Sequence, residues 1–201
     1  MAYHKPLAGR PDWTLLLAMT RPGFLAITAV ACLLGMALAA ACGRGVDPAL
    51  AAATLVLALG AHAGANVLND YHDALNGADD ANQGGLYPFT GGSRLIQQRR
   101  VSTDQSRQLA WLLLGLVALA GLLLAIHTGG GLLLIGLAGL LLAWAYSAPP
   151  LKLMSRGMGE LAVALAWWLI VIGADYVQRR QFLFVKNMSS EKFLDFYYVQ
   201  S

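Results

Sequence analysis

Residues 108–151, with the sequence QLAWLLLGLVALAGLLLAIHTGGGLLLIGLAGLLLAWAYSAPPL, contain no Asp, Glu, Lys or Arg. The hydrocarbon core of a bilayer is about 30 Å thick, and an α-helix crosses it with about 20 apolar residues. The run is too long for one crossing, and HTGGG at residues 127–131 supplies a turn that divides it. This stretch therefore predicts two membrane-spanning helices, at about residues 108–127 and 132–147.

Three other apolar segments have the length of a span: residues 22–42, 49–69 and, more weakly, 159–175. The composition agrees, because 57% of the residues are hydrophobic and only 12% are charged, which is unusual for a soluble domain. Residues 70–105 are expected to form a long cytoplasmic loop, in which Asp73 and Asn76 continue the preceding helix until Gly77. The predicted fold class is an all-α, multi-pass transmembrane helical bundle of about five spans, surrounded by a lipid bilayer.

The distribution of basic residues predicts the orientation of the chain. If the N-terminus is cytoplasmic, Arg44 is the only basic residue before Asp175 that lies outside, as the positive-inside rule requires. Met1 to Thr20 has no apolar core of a secretory signal, so the first span is expected to remain in the protein. The tail after Ala174 breaks the rule, because it should lie outside and yet carries four basic residues.

Two other features exclude classes of function. Cys32 and Cys42 are ten residues apart on one predicted helix, which is too far for a disulfide in place, and we interpret both as small packing residues. The net charge of +3 gives no electrostatic footprint for a nucleic acid, so none is expected as a partner.

A polar stripe runs along the second predicted span. His62, Asn66, Asn69, Asp73 and Asn76 are spaced by three and four residues, so they share one helix face. Polar groups at membrane depth are costly unless they face the interior of a bundle, so this stripe is expected to line a pocket that opens to the cytoplasm. The alternative is a solvated helix end, and Asp79 with Asp80 fits an ordinary turn.

Carboxylates at the mouth of such a pocket suit a hard cation. Asp70 and Asp73 lie three residues apart beside the amide of Asn69, and Mg²⁺ is usually bound by one or two carboxylates together with substrate phosphates. Arg94 follows two glycines and a serine, and its planar guanidinium suits phosphate oxygens. These residues predict a site for Mg²⁺ and a diphosphate. A proton or ion relay would also use intramembrane carboxylates, but it would not need Arg94.

Four segments resemble one known family. NDYHDALNG at residues 69–77 resembles the first aspartate motif, Asn-Asp-x-x-Asp, of the UbiA-type membrane prenyltransferases. PFTGGSRLI at 88–96 is similar to the branch that includes the 1,4-dihydroxy-2-naphthoate polyprenyltransferases of menaquinone synthesis. YSAPPLKLMSRGMGE at 146–160 resembles a second family segment, and TRPGFLAIT at 20–28 is also similar. The likeness covers about residues 12–182.

The resemblance implies Mg²⁺-dependent transfer of a polyprenyl group from an allylic diphosphate to an aromatic acceptor. It assigns metal binding to Asn69, Asp70 and Asp73. Many relatives have an acid where this chain has Gly77, which leaves a supporting role for Asp79. The resemblance also implies a set of catalytic residues, of which the two basic ones neutralise charge on the leaving diphosphate: Asp70, Asp73, Arg94 and Lys152. The substrate-binding residues that it implies are Asn66, Asn69, Asp79 and Tyr146.

Some of these residues also have plain structural interpretations. Lys152 has the position of a basic anchor at the membrane surface, and Tyr146 that of an interfacial aromatic residue. His62 has two interpretations that the sequence leaves open, namely a contact with the aromatic substrate and a hydrogen-bonded structural role.

The family fold implied by the resemblance has about nine spans and a second aspartate motif, so this chain corresponds to its N-terminal part. Glu191 and Asp195 are the nearest imitation of that motif, but they follow the fifth span and are expected on the opposite side. The composition changes after about residue 182. We therefore expect a partial prenyltransferase domain at residues 1–182, a non-family tail at 183–201, and a truncated or frame-shifted product.

Three hypotheses for function follow. The first is a prenyltransferase in a bacterial inner membrane, with a polyprenyl diphosphate and an aromatic acceptor as its partners and with weak or no activity in this chain alone. The second is a non-enzymatic membrane subunit that binds a lipid or a quinone. The third is a small ion-relay or transport protein, although no inverted repeat is visible in the sequence.

Overall fold

The computed structural model describes residues 12–43, 45–81, 84 and 92–198, with the backbone alone at residue 80 and from residue 180 onward. All regular structure in these residues is helical: α1 Trp13–Met19, α2 Pro22–Ala41, α3 Pro48–Asn76, α4 Ala78–Ala81, α5 Thr103–Thr128, α6 Gly130–Ser147, a short 3-10 helix Leu153–Arg156 and α7 Gly159–Tyr198. Five helices, namely α2, α3, α5, α6 and the Gly159–Arg179 part of α7, are long and apolar enough to cross a membrane. The predicted all-α, multi-pass bundle is confirmed.

Several helices are longer than the apolar segments that predict them. The polar end of α3 stays helical until Gly77, whose φ of 77° ends it in the left-handed region. The first turn of α5 is polar, but it is fixed by a capping box in which the side chain of Ser102 accepts from Gln105 N and that of Gln105 accepts from Ser102 N. In α7 an ion pair between Asp175 and Arg179, at 2.5 Å, stabilises the helical turn that follows residue 175, the predicted end of the fifth span.

A short helix that the sequence did not predict precedes the first span. Helix α1 is capped by Asp12, whose carboxylate accepts a hydrogen bond from Thr14 N at 2.9 Å. Leu16 and Met19 of α1 are buried and pack in a cluster with Val67 of α3. This packing fixes the residues that lead into α2 against the polar end of α3.

Helix α3 contacts each of the other four spans and therefore lies centrally in the bundle. Small residues allow the close approaches. A Cβ atom on Gly64 would lie 2.8 Å from a methyl carbon of Leu114 in α5, and one on Gly35 of α2 would lie 2.8 Å from the Cβ of Ala174 in α7. Since either contact is too short for a larger residue, these two helix pairs depend on glycine.

Some of the remaining sequence predictions concern described residues and can be compared with the structure, whereas others concern residues outside the described ranges. Gly129 alone joins α5 to α6, which places the dividing turn where the HTGGG segment predicts it. Both cysteines are free; Cys32 is buried as a packing residue, but Cys42 is exposed where α2 ends, so it does not pack as predicted. Arg44 and the side chains of Glu191 and Asp195 lie outside the described residues.

Candidate diphosphate and metal site

The polar face of α3 leads from the bundle interior to one end of the helix. His62, Asn66 and Asn69 line a cavity between the spans, and Asp73 is buried one turn further along. Asn76 is exposed, and its side-chain oxygen accepts a hydrogen bond from Ala78 N at 2.8 Å. The stripe therefore faces the interior as far as Asp73, and its last member caps the turn that follows.

Asp70 is neutralised by residues from two other parts of the chain. Its carboxylate, only 2% exposed, forms an ion pair with Arg21, which directly precedes α2. Ser93 N, in the loop before α5, donates to the same carboxylate at 3.2 Å. Arg21 has a φ of 52°, in the left-handed region that non-glycine residues seldom adopt. The α1–α2 junction thus holds a guanidinium beside the first aspartate of the motif.

Asp73 is buried with part of its carboxylate unsatisfied. Asn69 Nδ2 donates to its Oδ2 at 2.8 Å, whereas no described residue hydrogen-bonds its buried Oδ1. An unsatisfied buried acceptor costs about 1–3 kcal/mol. The Nδ2 of Asn69 also lies 3.3 Å from the sulfur of Met154, which brings the segment after α6 against the same face of α3.

A glycine turn brings a third carboxylate to this place. Gly92 has a φ of 76°, and a Cβ atom there would lie 2.9 Å from both Asp70 Oδ1 and Asp79 Oδ2. Asp79 is 3% exposed; its Oδ2 accepts from Gln97 Nε2 at 3.2 Å, and its carbonyl accepts from Arg94. Asp79 therefore belongs to the site rather than to a solvated turn. The side chain of Asp80 is outside the described residues.

Burial, together with the charges of Asp73 and Asp70, raises the pKa of the Asp79 carboxyl to about 7 against the opposing effects of Arg21 and Arg94. Because this folded-state pKa lies above the unfolded value, protonated Asp79 stabilises the fold at low pH, and this stabilisation is lost as the pH rises through about 7.

Asp79→Asn is therefore expected to flatten the pH dependence of stability. In buffer with a chelator, the unfolding temperature of the wild-type chain should fall more than that of the variant between about pH 5 and about pH 8, since the amide cannot ionise. Tryptophan fluorescence during heating measures the unfolding temperatures of the wild-type chain and of the variant. Parallel pH profiles would contradict the assignment of the raised pKa to Asp79.

The remaining predicted site residues are Tyr146, Lys152 and Arg94. Tyr146, near the end of α6, lines the cavity close to Gly159, where an added Cβ would lie 3.7 Å from its ring. Lys152 has a φ of 43° and begins the 3-10 helix; it forms no ion pair with any described residue. Arg94 lies with its guanidinium at the backbone of Asp79, where it fixes the turn that carries this carboxylate.

The cavity has a volume of about 370 Å³ and opens to the surroundings of the bundle. Its polar end is formed by Arg21, Asn66, Asn69 and Tyr146, whereas most of its other lining is Leu, Ala, Gly and Ile from the spans. Such a space suits an amphiphile with an anionic head at one end and a hydrocarbon chain inside the bundle.

The donor set fits Mg²⁺ only in combination with a phosphate ligand. Among the described residues, no group of three or more His, Cys, Asp or Glu side chains is arranged to hold a metal ion by itself. Mg²⁺, however, usually takes one or two carboxylates and completes its shell with water and phosphate oxygens. The unsatisfied Oδ1 of buried Asp73 is a free ligand atom of this kind. A side chain at position 92 would reduce the space next to the carboxylates of Asp70 and Asp79, which Gly92 leaves open.

Several of these contacts were not predicted from the sequence. Arg21 is not among the predicted site residues, although it lies within the family-like TRPGFLAIT segment, which is the available signal. Met154 likewise lies within the family-like segment at residues 146–160. Gln97 carries no signal in the sequence, because its contact with Asp79 forms only through tertiary packing.

Comparisons with known proteins identify the family of the chain. Residues 25–189 match the model of the UbiA prenyltransferase family. Similar curated proteins include two 1,4-dihydroxy-2-naphthoate octaprenyltransferases, one from Mycobacterium tuberculosis at 35% identity and one from Mycobacterium leprae at 34% identity, each over 125 residues. The alignments cover 62% of this chain and 40% of each relative, so the chain spans less than half of their length. No solved structure was found to match the chain.

Proposed function

Since the chain belongs to the UbiA prenyltransferase family, we propose that it binds an allylic polyprenyl diphosphate and takes part in transfer of the prenyl group to an aromatic acceptor. One observation carries this proposal: the buried carboxylates of Asp70 and Asp73 contact Arg21 and Asn69, which form the polar end of an apolar cavity between membrane spans. The head of a prenyl diphosphate matches the mouth, and its tail matches the cavity.

The charges at the mouth explain why a cation would enter with the diphosphate. Three carboxylates, from Asp70, Asp73 and Asp79, are accompanied by the guanidinium groups of Arg21 and Arg94. Lys152 belongs to the segment after α6, whose Met154 contacts Asn69. A diphosphate adds negative charge that this set leaves uncompensated. Mg²⁺, bound by Asp70 and Asp73 with the amide of Asn69, would supply that charge and polarise the phosphate oxygens.

The residues of the chain then have separate tasks. Arg94 and Lys152 stabilise the charge that collects on the diphosphate as its bond to the prenyl C1 breaks, since such help is strongest in a site with little water. The allylic cation bonds to a ring carbon of the acceptor, and the ring then loses a proton. Tyr146 lines the cavity, where an aromatic face attracts a cation.

The names of the relatives suggest the acceptor. Both similar mycobacterial proteins are called 1,4-dihydroxy-2-naphthoate octaprenyltransferases. We therefore propose 1,4-dihydroxy-2-naphthoate as the acceptor, which places the reaction in menaquinone synthesis. We also propose a bacterial inner membrane as its location. The positive-inside rule supports an N-terminus, and hence a diphosphate site, on the cytoplasmic side.

Reconstitution in liposomes tests the proposal. The 201-residue chain is expected to bind a long-chain allylic diphosphate only when Mg²⁺ is present, as measured by equilibrium binding to the proteoliposomes. Product formation from 1,4-dihydroxy-2-naphthoate is expected to be slow or absent, because the cavity is open and water can quench the allylic cation.

Two results would count against these expectations. Diphosphate binding that does not depend on Mg²⁺, or the absence of any binding, would reject the proposed site. Either result would favour a membrane subunit that binds a lipid or quinone. A turnover rate equal to that of the mycobacterial relatives, measured by chromatography of the prenylated product, would show that the open cavity does not limit the reaction.

A further inference from the structure

A second polar contact lies within the apolar part of the cavity, away from the carboxylates. Thr28 of α2 and His62 of α3 both line the cavity, and the distance from Thr28 Oγ1 to His62 Nδ1 is 2.8 Å. Thr28 is fully buried, so it holds the imidazole from the α2 side. Within the described part of the chain this is the one hydrogen bond that His62 makes, and its Nε2 is therefore available to a molecule in the cavity.

A hydrocarbon tail gives no reason for an imidazole at this place. A polar group in an apolar environment is unfavourable unless it finds a hydrogen-bonding partner. The neighbouring polar residues on the stripe already use their amide donors, since Asn66 Nδ2 donates to Thr20 O at 2.9 Å and Asn69 Nδ2 donates to Asp73. His62 thus differs from them in having a ring nitrogen directed to no described residue.

The position of His62 suits the second substrate of a transfer reaction. It precedes Asp70 by eight residues, which is about 12 Å along the helix axis at about 1.5 Å per residue. A diphosphate bound at Asp70 has its prenyl C1 on the cavity side. The attacking ring must reach within about 3–3.5 Å of C1 without displacing the leaving group, so it lies deeper than the diphosphate.

We propose that His62, held by Thr28, binds a ring hydroxyl of the aromatic acceptor. This inference rests on the proposed function and adds to it the group that recognises the acceptor. A hydroxyl fits either tautomer of the imidazole, because it can accept from an Nε2–H and can also donate to an unprotonated Nε2. An aromatic ring without hydroxyl groups would leave the nitrogen unsatisfied.

The test compares two ligands that differ only in their hydroxyl groups, 1,4-dihydroxy-2-naphthoate and 2-naphthoate. Binding of each is measured by fluorescence with the full 201-residue chain in lipid nanodiscs, under reducing conditions with Mg²⁺ and inorganic diphosphate. The wild-type chain is expected to prefer the hydroxylated ligand by about three- to tenfold, the effect of one hydrogen bond. His62→Leu should remove this preference and leave the affinity for diphosphate unchanged.

Two further variants make the result specific. Thr28→Val keeps the imidazole of His62 but removes the hydroxyl that holds its ring, so the preference for the hydroxylated ligand should fall to an intermediate value. This variant tests the inference even if His62→Leu does not fold. His127→Leu removes an exposed histidine at the end of α5, outside the cavity lining, and should retain the wild-type preference. Unfolding temperatures show which variants are folded.

The outcomes separate this inference from the proposed function. If the wild-type chain binds diphosphate but discriminates between the naphthoates only as well as His62→Leu and Thr28→Val do, the acceptor contact is wrong and the diphosphate site stands. If the wild-type chain binds diphosphate and neither naphthoate, the proposed acceptor class falls, and this inference falls with it. If no diphosphate binds, the proposed function itself is rejected.

Discussion

Asp73→Asn is expected to weaken the Mg²⁺-dependent binding of a polyprenyl diphosphate by about a hundredfold or more. Loss of a residue that only supports a metal ligand already costs about 10–100-fold in affinity, and a direct ligand should cost at least as much. Asp73 supplies a buried carboxylate oxygen that no described residue satisfies, and it lies in the candidate site. The substitution keeps the shape of the side chain and removes its charge, so the loss should appear in binding rather than in folding.

Equilibrium binding in proteoliposomes measures this effect, with Asp104→Asn as the matched control. Asp104 lies in the first turn of α5, where its side chain is 63% exposed and pairs with Arg107 at 3.4 Å. The control should bind diphosphate as the wild-type chain does. Equal losses in the two variants would mean that Asp73 has no special place in the site and that charge in general governs binding.

Arg21→Met is expected to destabilise the fold by about 3–5 kcal/mol, because it leaves the carboxylate of Asp70 buried without its partner. The side chains are 14% and 2% exposed, so water cannot replace the lost contact. Ser93 N would be the main hydrogen-bond donor left. Asp70→Asn in the same chain should restore most of the stability, since it removes the uncompensated charge.

Thermal unfolding followed by tryptophan fluorescence measures these changes in detergent. The control is Arg107→Met, which breaks the exposed pair with Asp104 and should change stability by less than about 1 kcal/mol. A single Arg21→Met variant as stable as the wild-type chain would show that Asp70 is not held as an ion pair. A double variant no more stable than the single one would place the loss in packing instead.

The bundle was predictable because each span carries its own signal. Apolar length alone located the five spans, and Gly129 divides the longest run where the sequence indicates. The ends of helices were less predictable, since they depend on caps and ion pairs rather than on apolarity. The polar first turn of α5 illustrates this, because only the reciprocal contacts of Ser102 and Gln105 reveal that it is helical.

The candidate site was predictable only in part, because sequence patterns reveal contacts between residues that are close in the chain and not contacts between distant ones. Asn69, Asp70 and Asp73 could be grouped because helical spacing places them near one another. Arg21 and Gly92 join the site through tertiary packing, and no local pattern shows that they meet at Asp70. The reaction itself followed from the resemblance to a family and not from spacing or composition.

The three buried acids beside the cavity also affect which other amphiphiles can bind there. Phospholipids surround every span, far outnumber any prenyl diphosphate, and likewise combine an anionic head with long tails. A phosphodiester head brings a single negative charge and chelates a divalent ion poorly, and Arg21 already offsets the charge of Asp70, so under the proposed function such a head gains little from Asp70, Asp73 and Asp79. A diphosphate would gain more, because it can carry a metal ion that the carboxylates share. On this proposal the acids favour the rarer amphiphile over the phospholipids that surround the protein.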